Sequence, residues 1–165
     1  MRVLGIDPGT LNMGYGLVDE VDGKVTMVDC GVLALSSKVH VEKRLCDFYN
    51  RISEVIIRYQ PDEVAIEEPF VAINARSALA VGRAQAIAIL AAANKNLPIF
   101  RYLPAQVKQQ VTDYGGSSKE QVQMMVKIQL GVSELPDSDD AADALAVAIC
   151  HVYQSQLNRR IIKSQ

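Results

Sequence analysis

Four carboxylates stand where an acid is awkward to keep: Asp7, Glu67, Asp140 and Asp143. Asp7 closes the apolar run Arg2-Val-Leu-Gly-Ile-Asp7, and Glu67 closes Glu63-Val-Ala-Ile-Glu67. Asp140 and Asp143 open an Ala-rich stretch, Asp140-Ala-Ala-Asp-Ala-Leu-Ala-Val-Ala-Ile-Cys150. Charges are seldom buried unless they are paired or bound to a metal. Acids at the ends of otherwise apolar elements therefore point to one shared electrophile, and a hard divalent cation with oxygen ligands suits them. The chemistry such a set supports is metal-dependent hydrolysis of phosphate esters.

Each acid also has a plainer explanation. Asp7 before Pro8-Gly9 can simply start a turn. Glu67 and Glu68 are adjacent and point to opposite faces of a strand, so alternation leaves open which one enters a site. Asp140 and Asp143 share a helix face with Val147 and Cys150. An N-cap acid followed by a second in the first turn stabilises a helix by ~0.3–2 kcal/mol with no chemistry at all. A cap accounts for one or two acids, however, and Asp137, Asp139, Asp140 and Asp143 make four.

The elements that must position these acids can be read from periodicity. Val3 to Asp7 is a compact strand, with Val3, Gly5 and Asp7 on one side and Leu4 and Ile6 on the other. Gly14 to Asp19 and Lys24 to Leu35 follow, joined across the hairpin signal Asp22-Gly23, so three strands form an antiparallel meander. Val41, Leu45, Phe48, Ile52, Val55, Ile56 and Tyr59 paint one helical stripe, closed by Pro61. Val64-Ala-Ile is a short buried strand. Asn74 to Asn94 reads as a long helix of small residues, whose face can pack inside the domain or across a dimer. Leu97 to Tyr102 is a fifth strand, and Pro98 suits its edge or its start. Pro104 opens a helix to about Val111. Ser117-x-x-Glu120 reads as a capping box for a helix ending at Gly131. The last helix starts at Asp139 or Asp140 and runs to about the basic tail Arg159-Arg160-Ile-Ile-Lys163. The order predicts an α/β fold with a mixed five-stranded sheet.

Bulk composition excludes several classes. A chain of 165 residues holds one domain with a full core, expected over residues 1–157 and followed by a short basic tail, 158–165. Its 49% hydrophobic and 22% charged residues suit a globular protein. No apolar run approaches the ~18 residues of a membrane span, and no signal peptide is visible. Three cysteines (Cys30, Cys46 and Cys150) lack metal-ligand spacing, which fits reduced thiols and a cytoplasmic location. His40 and His151 have no neighbour suggesting a nucleophile triad, and there is no Walker loop. Gly5-Ile-Asp-Pro-Gly-Thr10 does look like the first phosphate loop of actin-like ATPases, but no second Asp-x-Gly loop follows. Residues 1–69 carry twelve acids and seven bases, whereas residues 70–130 carry seven bases against Asp113 and Glu120. An acidic cluster beside a basic middle suits a metal site next to a phosphate-backbone track.

Taken in order, the motifs resemble one family. Gly5-Ile-Asp-Pro-Gly-Thr10 with Gly14-Tyr-Gly16, then Ala65-Ile-Glu-Glu-Pro-Phe70, then Asp140-Ala-Ala-Asp-Ala-Leu145 are similar to the RuvC Holliday-junction resolvases. Asn74-Ala-x-Ser-Ala-Leu79, Gln106-Val-Lys108 and Gln121-Val-Gln123 extend the likeness over nearly the whole chain. The resemblance implies an RNase H-like fold, a homodimer, and paired symmetric nicking of four-way DNA junctions in recombination and repair, leaving 5′-phosphate ends. It also implies magnesium, with manganese as a substitute and two ions per site, held by Asp7, Glu67, Asp140 and Asp143. Glu67 is preferred over Glu68 because the family's acid follows Ala-Ile. Phe70 corresponds to an aromatic that stacks on junction bases, and Arg76, Lys108 and Lys119 to basic residues near the DNA. A branch-migration motor of the RuvA–RuvB type is the implied partner. Glu68 and Pro69 depart from the family pattern, one adding an acid beside the site and the other stiffening the approach to Phe70.

Overall fold

A computed structural model describes residues 1–68 and 75–163, with residues 160–163 as backbone only. Five strands form one sheet in the order β3-β2-β1-β4-β5. β1 (Arg2–Asp7) pairs antiparallel with β2 (Asn12–Val21), which pairs antiparallel with β3 (Lys24–Ala34). The β2–β3 turn has Asp22 at φ 52° and Gly23 at φ 83°. Positive φ at both central residues is the geometry that matches a hairpin's right-handed twist. β4 (Glu63–Glu67) lies parallel to β1, and β5 (Ile99–Tyr102) parallel to β4 at the sheet edge.

Helices cover both faces. α1 (Val41–Tyr59) buries Phe48, Ile52, Val55 and Ile56, and ends at Gln60 in the left-handed region, one residue before Pro61. α2 (Ala75–Ala93) packs beside it through Ala84, Ala88, Ala91 and Ala92. Together they close over Leu4, Ile6, Leu17, Val64 and Ile66 on one face. α3 (Pro104–Thr112), α4 (Lys119–Leu130) and α5 (Asp139–Lys163) close over Val3, Val18 and Ala65 on the other. The strand alternation expected from the sequence thus divides the core into two layers. No helix among the described residues is long and apolar enough to cross a membrane.

Two boundaries differ from the sequence reading. The capping box of α4 is Ser118 with Gln121, not Ser117 with Glu120. Gln121 N donates to Ser118 Oγ at 3.3 Å, and Ser118 N donates to Gln121 Oε1 at 2.8 Å. Ser117 is turned inward and buried, 2.7 Å from Thr112 Oγ1 and donating to the Tyr114 carbonyl at 2.8 Å. Adjacent serines followed by Glu-Gln satisfy the motif in either register, and the inward bonds of Ser117 decide between them. α5 continues as helix to Lys163 through the expected tail. Arg159 lies 3.8 Å from Glu20 of β2, which ties that stretch of helix to the sheet.

Candidate active site

The acids are brought together by a helix lying directly on strand backbone. Gly5 of β1 and Gly14 and Gly16 of β2 face α5. A Cβ at Gly5 would sit 2.1 Å from the Ala144 carbonyl oxygen, and one at Gly14 only 1.9 Å from that of Asp140. At Gly16 it would lie 2.7 Å from the Leu145 nitrogen. No side chain fits there, so these glycines serve close approach rather than a special φ. Gly14 is also the register partner of Asp7. The start of α5, with Asp140 and Asp143, therefore rests beside the end of β1.

β4 supplies the fourth acid. Ala65 packs in the α5-side core, so Glu67, two residues on, faces the same side. Glu68 faces away and lies 3.6 Å from Arg101 of β5. The choice that alternation left open falls to Glu67.

Electrostatics show how tightly these groups are gathered. Burial, then the charges of Asp143 and Asp140, push the Asp7 carboxyl up to about 7, with Lys119 pulling the other way. Burial, then Asp7 and Asp143, push Glu67 up to about 8 against the opposing Lys108 and Lys119. Burial also raises Asp143. Desolvation and like-charge repulsion are the expected marks of acids sharing a pocket.

Lys119, the first residue of α4, supplies the counter-charge. Its ammonium lies 3.0 Å from Asp143 and 3.3 Å from Asp139, and Gln123 Nε2 donates to the other Asp139 oxygen at 2.8 Å. A cleft of about 170 Å³ opens here, lined by Glu67, Asp143, Lys108 and Lys119 over a wall of Pro104 and Val107. Among the described residues no three Asp, Glu, His or Cys side chains are already closed around a common ion position. The donor set nonetheless fits a hard divalent cation, being all carboxylate oxygen with protons to release and an ammonium to displace.

Of the other predicted site residues, Lys108 and Lys119 reach the cleft, and Arg76 lies exposed in the first turn of α2. Phe70 falls outside the described residues. Asp139 and Gln123 escaped the sequence reading as site residues. Asp139 looked like a helix start, and no spacing rule links it to Lys119 twenty residues earlier.

A mixed five-stranded sheet with acids gathered at the ends of β1 and β4, under a helix that brings two more, is the RNase H-like arrangement of metal-dependent nucleases. Residues 3–151 match the family described as "Crossover junction endodeoxyribonuclease RuvC". The chain is 51% identical over 154 residues to the enzyme of that name from Dehalococcoides mccartyi, covering 93% of this chain and 92% of that one. The solved structure of Thermus thermophilus RuvC superposes with a TM-score of 0.87 at 34% identity, covering 96% and 97% of the two chains. The same protein in complex with a Holliday junction substrate matches equally well, with a TM-score of 0.87 at 33% identity. The chain belongs to the crossover junction endodeoxyribonuclease RuvC family.

Proposed function

We propose that Asp7, Glu67, Asp140 and Asp143 hold the catalytic cations of an endonuclease that resolves four-way DNA junctions in the cytoplasm. The observation that carries this reading is their convergence. Acids from β1, β4 and α5 act on one another's charge, and Glu67 and Asp143 line a cleft together with Lys108 and Lys119. Magnesium ions bound there, two per site, would activate water and stabilise the leaving oxygen of the phosphodiester. Asp7, whose charge acts on Glu67 and which feels Asp143 and Asp140, would be shared between the ions; Glu67 and Asp143 would hold one ion each, and Asp140 would support the set. Manganese shares the hard oxygen preference and substitutes.

The basic side chains handle the substrate. Lys108 and Lys119 hold the phosphate that enters the cleft, where the charge of the acids alone would repel it. Arg76, exposed on α2, would add a further contact to the DNA backbone. Phe70, adjoining β4, stacks on a base opened at the crossover, worth about 1–3 kcal/mol. The exposed Leu79 and Leu90 of α2 lie opposite its buried alanines and offer the surface for a second copy. A two-fold dimer places two clefts on opposed strands and yields paired nicks with 5′-phosphate ends. A branch-migration motor would deliver the junction.

A nicking assay on a synthetic four-way junction tests the reading. Asp7→Asn keeps junction binding and stops cleavage even in saturating magnesium. Cleavage at the normal rate by Asp7→Asn would overturn the assignment.

A further inference from the structure

His151 is a buried ionisable side chain outside the acid cluster, 2% exposed on the inner face of α5. Both of its ring nitrogens are occupied. Nδ1 lies 2.7 Å from the Tyr102 hydroxyl and Nε2 lies 2.5 Å from Glu63 Oε2. The Phe100 ring packs against the imidazole with centroids 4.3 Å apart. The arrangement that satisfies every group has Tyr102 donating to Nδ1 and Nε2–H donating to the Glu63 carboxylate.

These partners have meaning through the sheet register. Tyr102 is the register partner of Glu67, Phe100 that of Ala65, and Glu63 begins the strand that Glu67 ends. His151 therefore grips the ledge that carries Glu67, from the helix that carries Asp143. The core around α5 on this face is otherwise apolar, including Ala146, Val147 and Ile149. Such packing is non-directional. Among the described residues, the two His151 bonds are the only side-chain hydrogen bonds from α5 to β4 or β5.

We propose that His151 is a positioning residue: its bonds to Tyr102 and Glu63 fix the register of α5 along β4 and β5, and so the placement of Asp143 relative to Glu67. The proposal rests on the reading of those acids as cation ligands. Supporting groups behind metal ligands typically change affinity or activity by about 10–100-fold when removed. Placement errors near 1 Å carry penalties of the same order.

The test is manganese affinity of the DNA-free protein, followed by electron paramagnetic resonance, beside nicking rate and junction affinity. His151→Phe keeps the ring against Phe100 and removes both bonds. Tyr102→Phe and Glu63→Leu each remove one bond and carry the comparison if His151→Phe does not fold. Weakening of manganese binding by about tenfold, with junction affinity unchanged and nicking slowed in parallel, is expected. Glu63→Gln still accepts from Nε2–H and should restore wild-type affinity, which separates hydrogen bonding from simple loss of charge. Ile52→Ala, in the opposite core layer, lowers the melting temperature without moving manganese affinity. If His151→Phe, Tyr102→Phe and Glu63→Leu behave like Ile52→Ala, the register role is overturned. Failure of the wild-type protein to bind manganese at all would instead overturn the cation-site reading itself.

Discussion

The two faces of the sheet are built on opposite rules. Under α1 and α2, strand residues are large (Leu4, Ile6, Leu17, Ile66) and meet Phe48, Ile52 and Ile56 across an ordinary interdigitated core. Under α5, the strands present Gly5, Gly14 and Gly16, and the helix lays Ala144, Ala148, Asp140 and Leu145 on them. The first face removes much apolar area from water. The second also buries an extensive apolar core, from Val3 and Val18 to Val126 and Ile149, but there a helix rests on strand backbone and carries two acids up to Asp7. One layer is filled by side chains throughout, and the other gives up side chains at three glycines so that charges from distant parts of the chain share a pocket.

If that division is real, equal-sized injuries to the two faces should have unequal consequences. The largest effect is expected at Gly14. Its Cβ would meet the Asp140 carbonyl oxygen at 1.9 Å, so Gly14→Ala must push the start of α5 off the strand. Displacement of about 1 Å at a catalytic group costs on the order of 100-fold in rate. Nicking should fall by at least that much in a protein that still folds. Ile52→Ala should do the reverse, losing about 2–5 kcal/mol of stability while nicking measured well below its melting temperature stays near normal. Normal cleavage by Gly14→Ala would remove the distinction between the faces.

The next effect is a pH dependence confined to the α5 face. Asp7 and Glu67 are raised to about 7 and about 8. A raised carboxyl contributes stability below its unfolded pKa, ~4, and that contribution is lost as pH rises through the folded value. Without cations, the melting temperature should therefore decline between pH ~4 and ~8 on account of these two groups. Magnesium removes the decline, and its stabilising effect grows with pH because binding releases the protons. At a hundred times its dissociation constant, a ligand adds ~2.7 kcal/mol. Melting curves at pH 5.5, 7 and 8.5, with chelator or with magnesium, check this. Asp7→Asn should flatten the slope and Ile52→Ala should leave it intact. A magnesium effect that is absent or independent of pH would argue that the acids bind no cation.

Much of this was legible in the sequence, and the failures share a cause. Strand alternation assigned Leu4 and Ile6 to one layer and Gly5 and Asp7 to the other, because period-two patterning is local. The Asp22-Gly23 turn was readable for the same reason. Glu67 could not be separated from Glu68 by local rules, since the choice depends on which face α5 covers and on Arg101 from β5 claiming Glu68. Ser117 and Ser118 offered the same cap in two registers, and tertiary bonds from Thr112 and Tyr114 selected one. His151 looked solitary because its partners lie 49 and 88 residues away. The acids themselves stood out because a carboxylate at the end of an apolar run is conspicuous whatever the fold.

A smaller effect should sharpen the view of Lys119. Its ammonium holds Asp143 at 3.0 Å, so an entering cation would have to compete with it, and on the proposed reading the same charge would face the scissile phosphate. Lys119→Met should thus tighten cation binding to the DNA-free protein by a few-fold while slowing cleavage ~100-fold, the low end of the cost of losing one preorganised electrostatic contact. Opposite signs for the two measurements are the point of the experiment. A variant that weakens both would mean that Lys119 organises the acids rather than guarding them.

The smallest expected effect lies at the N-terminus of α4, where Ser118 caps the helix whose first residue is Lys119. Removing an N-cap hydroxyl costs ~1 kcal/mol, or a few degrees of melting temperature in a chain of this size. Ser118→Ala should show that loss with little change in rate, because Asp139 and Asp143 still hold the ammonium from the other side. Ser117→Ala should be at least as damaging. Its hydroxyl is buried against Thr112 Oγ1 and the Tyr114 carbonyl, so removing it deletes two buried hydrogen bonds where the cap loses one at the surface. Thermal unfolding of the two single variants decides the order. A larger loss from Ser118→Ala would mean that the cap, and not the inward serine, is what holds Lys119 at the edge of the cleft.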